Sequence, residues 1–502
     1  MNYEIQGESP MTRPSAAMKQ EGFLINEEGT AKYKKIIRQD RLQLDPAKCF
    51  LDFHGTRIEV LNISTFGCAT IVSAEDSLIL AKLYQEKEYC TAKVYFEGTE
   101  TQTLHLRKVR EESHPTSVTN ERIWAFETVG EPFRVERIKV LELTSAVLQK
   151  QNEYGAKIER LPPPYRQIVF QVRDWFQKLK ESIDQLEKDA PVDNAQEAQE
   201  YRMTIVENIG EYIGNVIPQV YKQVPPMLKN LSPEDAQLAT DFIREQLGPY
   251  IYGAPFAARA FHKPRGYAGD YEMMNHLYRA EVTGKTLFDQ CMHKYLVGEP
   301  AGVAVKNRGY YLVEKIKQIF EVHSSQEPLK IISVASGPAM EQQLFLQNYK
   351  EFYGRPVSFT CLDQDEESLK YAQKHIGSID RFVKSGFKFN FKNLAIRNVI
   401  AGGLPEKDYA LVYSAGLFDY FTEPVAQMAA QKMLACIKPG GKLIIGNFST
   451  DNPTTPLMEL CLDWNLIYRS KEDLERMFKG FGSKVYVEKE PLGVNLFVVI
   501  EK

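Results

Sequence analysis

The chain has 502 residues, with 62 Lys plus Arg against 66 Asp plus Glu and a net charge of −4. It is too long for one hydrophobic core and too evenly charged for a dedicated nucleic-acid binder. Seven scattered cysteines without a C-x-x-C pair, no apolar signal core in the first residues and no run near the ~20 apolar residues of a membrane span predict a reduced, cytoplasmic protein.

In chain order, residues 1–28 read as a flexible tail interrupted by Pro10 and Pro14. Residues 29–148 read as a small β-barrel. Its strands are "KCFLDF", "TRIEVLNI", "CATIVSA", "YCTAKVYF", "TQTLHLRKV", "ERIWAFETV" and "RVERIKVLEL", separated by turns such as His54-Gly55 and Glu97-Gly98. The stretch "LNISTFGCATI" carries Asn62, Ser64 and Gly67 in N-x-S-x-x-G order. With a basic arm before it, this region resembles a PilZ-like domain. The resemblance implies cyclic di-GMP as ligand, gripped by that motif and by the upstream Arg38 and Arg41. Their spacing is R-x-x-R, where the family has R-x-x-x-R. Without a ligand, the same residues make a turn in a structural or docking module.

The texture changes at Pro162-Pro163-Pro164, and residues 149–300 read as mainly helical. "YRQIVFQVRDWFQKLKESIDQLEKD" has one apolar face, a second helix runs from Ala195 to about Ile217, and Ser232-Pro233-Glu234-Asp235 is a helix start. This region is a candidate substrate lid or a homodimer surface. Within it, "FHKPRGYAGDYEMMNHLY" gathers His262, Arg265, Tyr267, Asp270 and Tyr271 around two glycines. Arg265 is suited to a ligand carboxylate, and His262 or Tyr267 to positioning or deprotonating an acceptor. Read as structure alone, Asp270 caps a following helix and the tyrosines fill a domain junction.

Residues 301–502 alternate helix and strand patterns, which predicts an α/β sheet covered on both faces. The first strand, in "LKIISVASGPAMEQQLF", breaks at Ser336-Gly337-Pro338 before a helix. The second, "VSFTCLD", ends at Asp363, followed by Gln364 and Asp365. A tight turn at one strand end and an acceptor-only carboxylate at the next suit a nucleoside ligand; each alone is an ordinary connection. G-x-G-x-x-G and P-loop signatures are absent, as are H-E-x-x-H and G-x-S-x-G. No metal centre is expected.

The order SVASGPAMEQ, LDQD, DYALVYSAGLFDYF, CIKPGGKLIIGNF resembles class I S-adenosylmethionine-dependent methyltransferases over roughly residues 305–502. The resemblance implies a Rossmann-like sheet. It assigns the amino-acid and sulfonium end of S-adenosylmethionine to Ala335, Ser336 and Gly337. The ribose falls to Asp363, with Gln364 and Asp365 near the adenosine, and Ser414, Ala415 and Gly416 fall on the active-site rim. Many relatives have more glycines where this chain has Ser336-Gly337-Pro338. Together with "KPRGYAGDYEMMN", the chain is similar to bacterial proteins that make 3-hydroxypalmitate methyl ester, which implies a hydroxy fatty acid carboxylate as acceptor. Asp419, Tyr420, Asn447, Tyr468 and Arg469 are further rim candidates. The competing expectation is a cyclic di-GMP-responsive or protein-binding effector whose methyltransferase fold has lost its chemistry. A nucleic-acid methyltransferase is disfavoured, since no [DN]-P-P-[YFW] tetrapeptide occurs.

Overall fold

The computed structural model describes residues 41–114, 121–191, 193–279 and 281–502. The predicted tail and Arg38 therefore lie outside the described residues. The chain divides into two compact units, one ending at Glu153 and the other covering Tyr154–Lys502.

The first unit is built from β1 (Leu42–Gln43), β2 (Cys49–Phe53), β3 (Thr56–Ser64), β4 (Gly67–Val72), β5 (Cys90–Phe96), β6 (Thr99–Ser113) and β7 (Arg122–Val129). Their order is β1-β3-β2-β5-β6-β7-β4, and β4 pairs back onto β3. Six strands thus close a barrel, with β1 added to β3, and closure removes the free edges that invite aggregation. Side chains alternate as a closed sheet requires. Cys49, Leu51 and Phe53 of β2 are buried, while Phe50 and Asp52 between them are partly exposed.

Two helices in this unit depart from the sequence reading. Ala74–Gln85 is helical, started by Ser73, whose hydroxyl accepts from the Asp76 amide at 3.1 Å. "RVERIKVLEL", expected as a strand, belongs to the Val135–Ile158 helix. Its alternation misleads because Val135, Ile138 and Leu141, three residues apart, are the side chains that meet the barrel core, whereas Val140 and Leu143 stay exposed.

The second unit opens with long helices, Pro163–Lys188, Ala195–Tyr221 and Pro233–Ile251. Ser232 caps the last of them through the Asp235 amide, as its sequence predicts. Their apolar faces form one core around Tyr165, Phe176 and Phe242, and the buried Tyr165 hydroxyl donates to the Ala239 carbonyl at 2.7 Å.

The sheet of this unit comprises β8 (Leu329–Val334), β9 (Val357–Asp363), β10 (Lys388–Asn393), β11 (Tyr409–Ser414), β12 (Ile437–Phe448), β13 (Lys484–Lys489) and β14 (Asn495–Glu501). Its order is β10-β9-β8-β11-β12-β14-β13. The first five strands run parallel, and β14 enters antiparallel beside β12. The two edge strands, β10 and β13, carry no strong apolar run, and the sequence revealed neither. Successive residues feed opposite cores. Ile331, Leu411 and Ile444 join one cluster, and Ile332, Val412 and Ile445 the other. Burial on both faces explains why these strands read as continuous apolar runs. Each such side chain contributes roughly 1.5–3 kcal/mol.

Candidate functional site

In this sheet β8 and β11 are neighbours although β9 and β10 come between them in sequence, so the chain reverses direction across the sheet at that point. Open α/β sheets bind ligands at the carboxyl ends of strands beside such a switch. A cavity of about 320 Å³ lies there, lined from the ends of β8, β9 and β11, from Phe448 of β12, and from the Tyr267–Tyr278 segment.

The turn after β8 explains the break in the sequence. Ala335, Gly337 and Ala339 all have positive φ, at 56°, 53° and 54°. A methyl group at Gly337 would meet nothing within 4 Å, so this glycine serves backbone conformation rather than space. Two alanines held left-handed within five residues mark a turn stabilised by its surroundings. The Gly337 amide donates to Asp363 Oδ2 at 2.8 Å, and the Asp365 amide to Asp363 Oδ1 at 2.9 Å. Burial pushes the Asp363 carboxyl up from its ordinary range, and those amides pull it back. Ser336 Oγ is buried without a hydrogen-bond partner.

The cofactor-side candidates converge. Ala335, Ser336, Gly337, Asp363, Gln364, Ala415 and Gly416 all line the cavity. Ser414 sits behind it, fully buried, with its hydroxyl on the Val334 carbonyl at 2.9 Å. Asp365 caps the Glu366–Val383 helix through the Glu367 amide at 3.0 Å.

The acceptor-side candidates separate. Tyr267 and Tyr271 line the cavity. Burial, and then the carboxylates Asp363 and Asp365, push the Tyr267 hydroxyl well above its ordinary range, so it donates rather than ionises. The carboxylate that Arg265 meets belongs to the chain itself, since its Nη1 lies 3.0 Å from both oxygens of Asp365. Asp270 caps the Tyr271–Arg279 helix through the Glu272 and Met273 amides, both at 3.0 Å, and pairs with Arg259 at 2.7 Å. His262 lies against Phe261 and Tyr252 and is not part of the cavity wall.

Of the further rim candidates, Asp419 and Tyr420 face the cavity. Asn447 and Arg469 instead hold the loop below it, Arg469 donating to the Phe418 carbonyl at 3.0 Å. Asp419 accepts from the Phe448 amide at 2.6 Å. Burial raises its carboxyl to about 7, against the pull of that amide, Arg308 and Arg469. Arg308, Glu341 and Trp464 also line the cavity, and no local motif marks them. Arg308 and Glu341 lie inside ordinary helical patterns, and Trp464 lies in a loop. Leu394 and Ile396, following β10, add an apolar wall.

A buried carboxylate at a strand end, an unpartnered serine hydroxyl and an apolar wall fit the ribose, polar end and adenine of S-adenosylmethionine. Six strands running one way, with β14 inserted antiparallel between β12 and β13, form a sheet of the Rossmann-like kind that the resemblance implies.

The second unit has a methyltransferase-like fold.

No protein-family model and no curated protein matches the chain. Solved structures with low similarity include a possible exported protein of Bordetella parapertussis (14% identity, TM-score 0.37, covering 60% of this chain and 96% of that one). The CurJ carbon methyltransferase has 13% identity and a TM-score of 0.34, covering 65% and 98%. Magnesium protoporphyrin IX methyltransferase of Synechocystis with bound SAH has 10% identity and a TM-score of 0.31, covering 41% and 88%. At these scores none bears on function, and the fold assignment rests on the strand order and the cavity. Among the described residues no helix is long and apolar enough to cross a membrane.

Proposed function

We propose that the chain is an S-adenosylmethionine-dependent methyltransferase acting on a small molecule. The observation that carries this reading is the cavity over the switch between β8 and β11, with the buried Asp363 on one side and the apolar Leu394 and Ile396 beside it. The bound cofactor supplies an electrophilic methyl group. In this reading Asp363 accepts from the ribose, Gln364 borders the adenosine, and Ala335, Ser336 and Gly337 border the amino-acid end. Tyr267, Tyr271 and Trp464 exclude water and orient the acceptor.

We further propose an acceptor with a carboxylate and an apolar tail, the class to which a hydroxy fatty acid belongs. The cavity shares Phe448 and Trp464 with a narrow apolar void, which shares Leu296 and Leu457 with another inside the helical core. These voids measure about 10 and 40 Å³, so a tail entering them has to displace side chains. The test is calorimetric titration with S-adenosylhomocysteine, followed by methyl transfer to a series of hydroxy fatty acids of increasing length. Saturable binding and transfer that improves with length are expected. No binding to folded protein would remove the methyltransferase reading.

The barrel supports a second, regulatory reading, or that of an effector without turnover. Arg41 Nη1 donates to Asn62 Oδ1 at 3.0 Å, and Ser64 Oγ to the Gly67 carbonyl at 3.2 Å, so one motif arginine meets the turn. Cyclic di-GMP is expected to bind the full chain and to bind Arg41→Ala roughly 10-fold more weakly. Absence of binding to the wild type withdraws this role.

A further inference from the structure

Arg308 lies on the Pro300–Val322 helix, is 7% exposed and lines the cavity. Its Nε is buried with no hydrogen-bond partner. Nη2 meets the Met274 sulfur at 3.4 Å, a weak acceptor, and the guanidinium also reaches the neutral Tyr278 hydroxyl, so neither neighbour supplies a charge. Glu341 and Asp419 act on it through space without a hydrogen bond, and burial pushes both carboxyls up, towards the neutral form. Guanidinium groups do not release their proton in proteins. A buried guanidinium without a partner carboxylate is costly unless something else brings the anion.

The surroundings leave room for one. A methyl group at Gly416 would come within 2.8 Å of Arg308 Nη1, so glycine at the end of β11 keeps the guanidinium in place. Asp363 ends β9 and Gly416 follows β11, with β8 between them. Two strand spacings put these positions roughly 10 Å apart. One ligand with a diol at one end and an anion at the other spans that interval.

Resting on the methyltransferase reading, we propose that Arg308 receives a ligand carboxylate in this cavity, that of the cofactor's amino-acid end. The acceptor's own carboxylate offers the same chemistry, and the experiment separates the two.

The full chain and Arg308→Gln are titrated with S-adenosylhomocysteine and with 5′-methylthioadenosine, which lacks the amino-acid part. The variant is expected to lose on the order of 30-fold in affinity for the first and nothing for the second. Unchanged nucleoside binding also shows that the variant is folded. Should it not fold, Arg308→Lys, which keeps the charge but loses the two-pronged donor geometry, is expected to show the same selective loss to a smaller degree. In a second arm, 3-hydroxyhexadecanoate and its methyl ester are titrated with and without S-adenosylhomocysteine. A loss confined to the free acid assigns Arg308 to the acceptor instead. Equal binding of every probe by wild type and variants overturns the proposal. If neither nucleoside binds the wild type, the methyltransferase reading fails by itself, and the free-acid arm decides for or against Arg308.

Discussion

Asp363→Ala is expected to lower S-adenosylhomocysteine affinity by roughly 100-fold or more. Two losses add. The ligand's hydroxyls lose an ionised acceptor, and hydrogen bonds to charged groups contribute about 1.5–3 kcal/mol each. The turn also loses its anchor, because the Gly337 and Asp365 amides that now donate to Asp363 are left without an acceptor. The 2′-deoxy analogue separates these effects. If Asp363 meets the ribose, removing the hydroxyl weakens binding to the wild type but costs nothing further in Asp363→Ala, so the two changes are not additive. Additive losses would keep Asp363 as a brace for the turn and reject its contact with the ligand. A far-ultraviolet spectrum and a thermal melt establish that the variant remains folded.

The sequence showed the sheet more clearly than the site. Strands such as "KIISVAS" and "VSFTCLD" were legible because burial on both faces leaves continuous apolar runs. Ser336-Gly337-Pro338 and Asp363 were legible because turn chemistry and strand ends leave local marks. Arg308 left none: it lies 55 positions before Asp363, and only tertiary structure brings it to Gly416. Arg265 misled for the opposite reason. Its loop is rich in polar residues, but the carboxylate it binds, Asp365, stands 100 positions away in the same unit. "RVERIKVLEL" shows a third limit, since over a few residues an apolar alternation and one helical face are the same pattern until the partner surface is known.

Asp419→Asn is expected to flatten the pH dependence of stability between about pH 4 and pH 7. Burial lifts the Asp419 carboxyl from 3.8 to about 7 in the folded chain, despite the Phe448 amide, Arg308 and Arg469. Over that interval the folded state holds a proton that the unfolded state has released, so stability is full below about pH 4, falls as pH rises and levels off above 7. Across the whole window this group costs roughly 4 kcal/mol. Asparagine offers the same oxygen to the Phe448 amide without the charge. The difference in denaturant stability between variant and wild type should therefore grow from pH 4 to pH 7 and then stay constant, and a difference that does not change with pH would contradict a buried, titrating Asp419. The same group discriminates between acceptors. A hydroxyl acceptor must lose a proton, and a cavity carboxylate titrating near 7 is suited to take it, so kcat/KM would rise with pH to a plateau above 7 and collapse in Asp419→Asn. A carboxylate acceptor needs no base: its oxygen attacks the methyl group directly, and Asp419→Asn would leave the pH profile without that limb.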